Sequence, residues 1–330
     1  MNEASTEKKF YSYIEQTWTI TEEQLNELKD QPQLSCIVSE EKYVVGIPET
    51  KYFLKLQIAR ESVDKNGFFL YLRFSRPKNS SKIRAKYSVF VKSENYSTQF
   101  DNIFYPEKIT GWGDEICPVE KFFERNFIFN GKCIIEIKGI LIFEEINEMP
   151  KIAMESAVLS RALWENDEKD FKIEVGNEEN VMVHKLVLST RSTYFEGMFR
   201  SGMKEAITNS VKIIDFNFKT VKTTIEFFYD RNIFESLNFD DAFDLLRFAD
   251  KYQIIDLLDK LELHLIYQLS PLTVCKFTNG SIYSNSIKLR QICFGFLMIC
   301  SKHSIPVENL QNLDNDFAAD LFLKTFSPFD

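Results

Sequence analysis

The hydrophobic pattern of this chain changes its period once, near Pro150, and that change divides the sequence into two kinds of structure. Before it, apolar and polar residues alternate in YFLKLQIA (52–59), KYSVFVKS (86–93) and KCIIEIKGILIFEE (132–145). A period of two is expected of strands with one buried face. Several such segments separated by polar loops predict an antiparallel β-sandwich.

After Pro150 the pattern becomes mainly helical. ESAVLSRALWEN (155–166) has Leu159 and Leu163 four residues apart, which is helical spacing. DFKIEVG and NVMVH predict two short strands, and from residue 184 onward the chain reads as helices broken by one strand, VKIIDF (211–216). The sequence therefore predicts an α+β protein, with the best domain boundary at residues 146–154.

Several residues mark where helices begin and end. Thr193-x-x-Glu196 fits a capping box, and Ser270-Pro271 places a cap before a first-turn proline. Gly202 is placed to end the helix that carries Phe195.

Composition narrows the possible functions. The 330 residues suggest two or three domains, and the net charge of −9 argues against a nucleic-acid partner. The basic segment RPKNSSKIRAK (76–86) predicts a solvated hairpin loop. The N-terminus lacks an apolar signal core, and no run approaches the roughly 18 apolar residues of a membrane span. We expect a cytoplasmic and/or nuclear protein without membrane association.

Nothing in the sequence has the arrangement of a catalytic or metal site. None of the six cysteines lies in a CxxC pair or near a histidine at zinc spacing, so they read as reduced, small apolar residues. The three histidines, His184, His264 and His303, accompany no nucleophile, P-loop or HExxH motif. The sequence predicts no enzyme activity, no metal and no cofactor.

The segment from 163 to 199 resembles the opening of a BTB (POZ) domain. The matching residues, at the family spacing, are Asp170, His184, Leu188, Ser192, Phe195, Met198 and Phe199. The resemblance continues through VKIIDF, TVKTTIEFFYD and LLRFADKYQIIDLLDKLELHL (245–265). One departure is FFYDRN (227–232), where the family usually has Tyr-Thr-Gly. The resemblance implies that His184 supports the fold at a strand-to-helix junction.

The N-terminal region is similar to a MATH (TRAF-like) domain. The residues that carry this resemblance are Thr17-Trp18-Thr19-Ile20, Ile83-Arg84-Ala85-Lys86-Tyr87, Gly111-Trp112-Gly113 and PVEKFFERNFIF (118–129). MATH followed by BTB is the arrangement of the family that includes the speckle-type POZ protein and many nematode proteins. It implies a MATH domain at 8–146, a linker at 147–154, a BTB domain at 155–269 and a helical, BACK/3-box-like extension at 270–330.

The family resemblance implies a substrate adaptor of a cullin-3 ubiquitin ligase. The family's cullin-binding motif is an apolar residue, any residue and then Glu, and this chain has Met203, Lys204 and Glu205 at the matching position. An exposed polar loop is the alternative reading of these three residues. A second hypothesis for the whole chain is a BTB oligomerisation scaffold that joins MATH-bound proteins without cullin-3.

The resemblance also implies a protein substrate, bound as a short peptide in a MATH groove. Tyr87, Phe104, Trp112 and Asp114 fall at groove positions, although Tyr87 also fits the buried face of a strand. An acid at 114 would disfavour acidic peptides and favour basic ones.

Finally, BTB domains commonly form two-fold dimers through their first helix, here 155–165. Leu159 and Leu163 would supply the apolar contact, while Ser156 and Ser160 on the same stretch would reduce its apolar area.

Overall fold

The chain folds into an N-terminal set of antiparallel sheets followed by a mainly helical region, as the change of period predicts. The computed structural model describes residues 9–30, 36–62, 65–77, 80–92, 96–106, 112–124, 127–144, 151–152, 158–176 and 179–326. Most of the predicted linker, 147–154, and the first residues of the predicted helix 155–165, including Ser156, lie outside the described residues.

The described residues form twelve strands: β1 (Phe10–Thr21), β2 (Cys36–Val38), β3 (Lys42–Tyr43), β4 (Lys51–Ser62), β5 (Lys65–Ser75), β6 (Ile83–Val91), β7 (Tyr96–Phe104), β8 (Trp112–Pro118), β9 (Lys132–Phe143), β10 (Phe171–Val175), β11 (Glu179–Val183) and β12 (Ser210–Ile213). They also form twelve α-helices: α1 (Glu22–Asp30), α2 (Val119–Glu124), α3 (Val158–Glu165), α4 (Lys185–Arg191), α5 (Thr193–Arg200), α6 (Lys204–Thr208), α7 (Phe218–Phe228), α8 (Phe239–Lys251), α9 (Ile255–Ile266), α10 (Val274–Tyr283), α11 (Ile287–Lys302) and α12 (Asn315–Phe326).

The chain divides into two compact units. Unit 1 contains Met1–Pro150, Tyr267–Val274 and Ile292–Asp330, and unit 2 contains Lys151–Ile266 and Cys275–Gln291. The segment predicted as one extension, 270–330, is therefore shared between the two units. The apolar stripes of its helices predict that one face of each helix is buried, but they do not reveal which part of the protein that face packs against.

Unit 1 is built on two antiparallel sheets. Their strand orders are β1-β9-β6-β7 and β2-β4-β5-β8, with β3 pairing to β4. The alternating residues of each sheet meet in a single core, which includes Leu54, Leu56, Ile135 and Ile137. The predicted sandwich is confirmed, and its buried cysteines behave as apolar residues. Burial raises the pKa of the Cys133 thiol to about 12, which keeps it neutral.

The last four residues of β9, Ile140 to Phe143, are all buried, so both faces of the strand are covered there. On the side away from the core, residues of α11 lie against β1. The ring of Phe296 is 6.3 Å from that of Tyr11, and a Cβ at Gly295 would come within 2.4 Å of the Tyr13 hydroxyl. The glycine therefore permits a close approach between this helix and the sheet.

The basic segment 76–86 contains a connection between two sheets and the first residues of β6, so its prediction as a hairpin loop is wrong. It joins β5 to β6, which belong to different sheets. Three of its described cations contact a neighbouring acid or carbonyl: Arg76 donates to the Phe104 carbonyl at 3.0 Å, and Arg84 and Lys86 each lie 2.8 Å from Asp101. The hydrogen bond from Arg84 is the main reason that the pKa of Asp101 lies well below its usual value.

Unit 2 is a small sheet with helices. Strand β10 is central, antiparallel to β11 and parallel to β12. Asn238 caps helix α8, and Asp240 and Asp241 lie in its first turn, where the helix dipole favours carboxylates. Helix α10 begins at Val274, one turn after the start predicted at Ser270-Pro271, and the Val274 N–H donates to the Ser270 carbonyl across that turn.

Candidate protein-binding surfaces

His184 holds the start of α4 in place. Its backbone N–H donates to the Tyr229 hydroxyl at 3.1 Å, and its Nδ1 lies 2.7 Å from the same oxygen. Burial is the main cause that raises the pKa of Tyr229, so this hydroxyl keeps its proton. The next residue, Lys185, donates its backbone N–H to Asp170 Oδ1 at 2.7 Å. Asp170 thus satisfies a backbone N–H at the start of α4, while the His184 ring contacts Tyr229 and makes no cap hydrogen bond to the helix, so both residues have structural roles.

Ser192 joins α4 to α5. Its side chain accepts the Phe195 N–H at 3.2 Å and donates to the Tyr252 carbonyl at 2.6 Å. It is therefore the N-cap of α5, and the capping box predicted at Thr193 and Glu196 is wrong. The reason is backbone geometry: Ser192 is extended, whereas Thr193 is already helical. Gly202 follows α5 with φ of +67°, as predicted for a terminating glycine.

Met203, Lys204 and Glu205 lie at the surface of unit 2, at the beginning of the one-turn helix α6. Met203 is 59% exposed, and Ile207, four residues later, is 75% exposed. Four-residue spacing brings these two apolar side chains to one side of the helix. Glu205 is half-buried, and no described residue forms an ion pair or side-chain hydrogen bond with its carboxylate. An apolar pair beside an unpaired acid suits a partner that offers an apolar pocket and a hydrogen-bond donor.

Helix α3 presents a second apolar surface. Leu159 is 70% exposed and Val158, which sequence reasoning did not select, is 86% exposed. Leu163 is half-buried, and the Ser160 hydroxyl is hydrogen-bonded to Asp230. The exposed apolar surface of α3 therefore consists of Val158 and Leu159. That Leu163 contributes to a dimer interface stays a prediction.

The predicted peptide groove loses two of its residues. Tyr87 and Phe104 are each only 2% exposed and belong to the sandwich core. Tyr87 stacks on Phe100 at 4.8 Å and lies directly opposite Gly139, where a Cβ would approach its own to 2.5 Å. These side chains cannot contact a peptide while the core is intact, so the groove assignment of both is wrong. The side chains of Trp112 and Asp114 lie outside what the structure describes.

An outward aromatic pair on β5 was missed. Phe69 and Tyr71 are half-buried, with ring centroids 6.4 Å apart, and Gln57 donates to the Tyr71 hydroxyl at 3.3 Å. Tyr71 is opposite Gly113 of β8 in the sheet. The signal was present in GFFLYLRF (67–74), where Phe69 and Tyr71 alternate with the buried Phe68, Leu70 and Leu72.

The described residues contain neither a metal-binding cluster nor a helix suited to crossing a membrane. No three His, Cys, Asp or Glu side chains in the described part of the chain are grouped as a metal site would require. Of the helices that the structure describes, none has both the length and the apolar character of a membrane crossing.

Comparison with known proteins identifies the second unit. Residues 160–269 match the BTB/POZ domain family. The chain carries a BTB domain. The predicted α+β organisation is confirmed, and the motif residues from Asp170 to Phe199 fall within the matched BTB segment.

The relatives extend the likeness beyond the BTB domain. BTB and MATH domain-containing protein 40 of Caenorhabditis elegans is 23% identical over 284 residues, covering 78% of this chain and 70% of that protein. TD and POZ domain-containing protein 2 of Mus musculus is 28% identical over 190 residues, covering 51% of this chain and 50% of that protein. The BTB domain of zebrafish PATZ1 is 21% identical and fully covered, over 36% of this chain, with a TM-score of 0.29. The worm alignment covers more of the chain than the BTB segment, and therefore includes part of the N-terminal sandwich.

Proposed function

We propose that this chain is a substrate adaptor of a cullin-3-based ubiquitin ligase and is not itself an enzyme. The BTB domain would bind the N-terminal domain of cullin-3, and the sandwich would recruit a protein substrate. The observation that carries the proposal is the exposed Met203–Ile207 pair beside the Glu205 carboxylate, which pairs with no side chain among the described residues. A Met side chain adapts readily to an apolar pocket, and an acid at the edge of the contact can accept hydrogen bonds from a partner. The proposed place of action is the cytoplasm or the nucleus.

The substrate surface that we propose differs from the one expected from the sequence. Phe69 and Tyr71 expose aromatic faces on the outside of the sheet, beside the strand that contains Trp112 and Asp114. Half-exposed aromatic side chains bury a large area on binding and need little ordering. A short peptide along β5 and β8 would contact this pair, and the influence of Asp114 on its charge stays part of the proposal.

The adaptor proposal is tested by calorimetry with the purified chain and the cullin-3 N-terminal domain. Met203→Ala and Glu205→Ala should each weaken binding by about thirtyfold, the loss expected for a residue that contributes about 2 kcal/mol. Lys222→Ala is the matched control, because Lys222 is exposed on α7, outside the α6 surface. A folded wild-type chain that shows no binding would contradict the proposal.

The alternative is an oligomerisation scaffold without cullin-3, and it has its own supporting observation. Besides Val158 and Leu159 on α3, helix α12 exposes Phe322, Leu323 and Phe326 on one side. Exposed apolar stripes of this kind mark sites of protein association. Self-association that depends on these residues, in a chain that does not bind cullin-3, would favour the scaffold.

A further inference from the structure

The segment that carries Met203, Lys204 and Glu205 has little packing of its own. Helix α6 is five residues long and contains no buried side chain. A single helical turn is unstable in isolation, because nucleation fixes several residues for one hydrogen bond. Its position must therefore depend on contacts made with other parts of the BTB domain.

Lys185 makes such contacts from α4. Its Nζ lies 5.9 Å and 5.6 Å from the ring centroids of Phe171 and Phe199. Beyond the rings, Nζ donates to the Ala206 carbonyl at 3.4 Å and to Asn209 Oδ1. A cation at the last carbonyls of a helix is stabilised by the helix dipole and satisfies acceptors that have no intrahelical partner.

Asn209 completes the arrangement at the end of α6. It adopts a left-handed conformation with φ of +52°, and its backbone N–H donates to the Glu205 carbonyl. The amide oxygen that receives Lys185 thus belongs to the residue that closes the helix. Through Asn209, the lysine is connected to the backbone of Glu205.

The backbone at Lys185 is fixed by hydrogen bonds, so its side chain extends toward α6 from a defined position. Its backbone N–H is bound by Asp170, and the preceding residue, His184, is bound by Tyr229. A side chain that begins at a fixed point and passes over two rings loses less conformational freedom when it forms its terminal hydrogen bonds.

We propose that Lys185 is a positioning residue that holds α6 in the conformation which presents Met203 and Glu205. The lysine does not touch the partner. It acts by keeping the helix and its C-terminal cap in one arrangement, so that binding need not order them. The consequence for cullin-3 binding rests on the proposed function, whereas the ordering of α6 does not.

The test is hydrogen exchange of the amides from 204 to 209, together with cullin-3 affinity, in Lys185→Met. Methionine keeps an apolar stem over the rings and removes the donors. We expect exchange in this segment to rise about tenfold, as for a lost charge-assisted hydrogen bond, and affinity to fall by a similar factor. Lys222→Met, an exposed lysine on α7, is the matched control and should change neither quantity.

A second variant separates this contact from a general loss of stability. Asn209→Gly tolerates the left-handed backbone but removes the acceptor, and should raise exchange as Lys185→Met does. If both act through one contact, the double variant should not exceed the larger single effect. Unchanged exchange in Lys185→Met would overturn the proposal, as would raised exchange with unchanged cullin-3 affinity. If the wild type fails to bind cullin-3, the proposed function fails, and the exchange measurement still decides the role of Lys185 in ordering α6.

Discussion

At the residue scale, Ser192 shows how a buried hydroxyl fixes the angle between two helices. Its backbone N–H closes α4 on the Leu188 carbonyl, while its side chain caps α5 and binds Tyr252. Tyr252 in turn stacks on Phe195 with ring centroids 5.3 Å apart. Loss of the hydroxyl would leave a helix-terminal N–H and a carbonyl unsatisfied inside the BTB domain.

Ser192→Ala should therefore lower the free energy of unfolding by about 1–3 kcal/mol. Thr193→Ala is the matched control, since its hydroxyl donates to the exposed side chain of Gln253. It should cost no more than about 0.5 kcal/mol. Urea denaturation of both variants measures the difference, and a larger loss for Thr193→Ala would restore the cap predicted from the sequence.

Tyr87 provides the second test at this scale, because its core and groove roles predict different results. As a core residue, Tyr87→Ala should lower the free energy of unfolding of unit 1 by about 3–5 kcal/mol. Tyr71→Ala removes an aromatic side chain from the outer face of β5 and should cost clearly less. If Tyr87→Ala left the denaturation midpoint unchanged and reduced only peptide binding, the burial of Tyr87 described above would be wrong.

At the element scale, α3 depends on polar and aromatic contacts because it contains no buried side chain. The ring of Trp164 lies 5.3 Å from Tyr229, with Arg231 4.9 Å from its centroid. Ser160 binds Asp230, which is left-handed with φ of +56° in the turn where the family usually has glycine. The changed turn therefore holds the helix that exposes Val158 and Leu159.

Arg231→Ala should loosen α3, since a cation over an indole ring contributes about 0.5–2 kcal/mol. We expect faster hydrogen exchange at residues 158–165 and weaker self-association of the chain. Arg200→Ala is the control, because Arg200 is exposed and pairs with Glu196 within α5, away from α3 in sequence. Unchanged exchange in α3 after removal of Arg231 would contradict this role of the turn.

His303, directly after α11, is expected to make the stability of unit 1 depend on pH. Burial is the main cause that lowers the pKa of His303 below its ordinary value, and Lys86 and Lys302 add repulsion that Asp101 offsets in part. The unfolded chain then binds more protons than the folded one near the ordinary pKa of 6.5. The histidine's contribution is complete above that pH and is lost as the pH falls through the lower, folded pKa.

Unit 1 should thus lose stability on acidification from about pH 7.5 to pH 5.5, and His303→Gln should reduce that dependence. Exchange rates of β6 amides, corrected for intrinsic pH effects, provide the measurement. His264→Gln is the control, because burial likewise lowers the pKa of His264 but this residue lies in unit 2. An identical pH dependence of β6 exchange in wild type and His303→Gln would exclude the histidine as its source.

At the scale of the whole molecule, the sequence predicted what depends on local pattern. The alternation of apolar and polar residues predicted β4, β6 and β9. The spacing of Met203 and Glu205 identified the motif after α5, although Lys204 and Glu205 lie in helix α6 and not in a loop. The groove prediction was wrong for Tyr87 and Phe104 because both side chains lie on the face of their strand that is buried in the core. A match to a family position does not by itself reveal which face a side chain is on. The contact of Lys185 with Asn209 and the grouping of 292–330 with the sandwich depend on tertiary packing, which no local pattern specifies.

The central claim is that the intact chain binds cullin-3 through the BTB domain. Sedimentation velocity of the chain, alone and with the cullin-3 N-terminal domain, tests it most directly. At about 50 µM of each protein, a complex with a Kd in the micromolar range is readily detected. The account predicts a self-associated chain that takes up one cullin-3 domain per copy, and a Glu205→Ala variant that self-associates but takes up much less. A wild-type chain that sediments identically with and without cullin-3 would contradict the adaptor account.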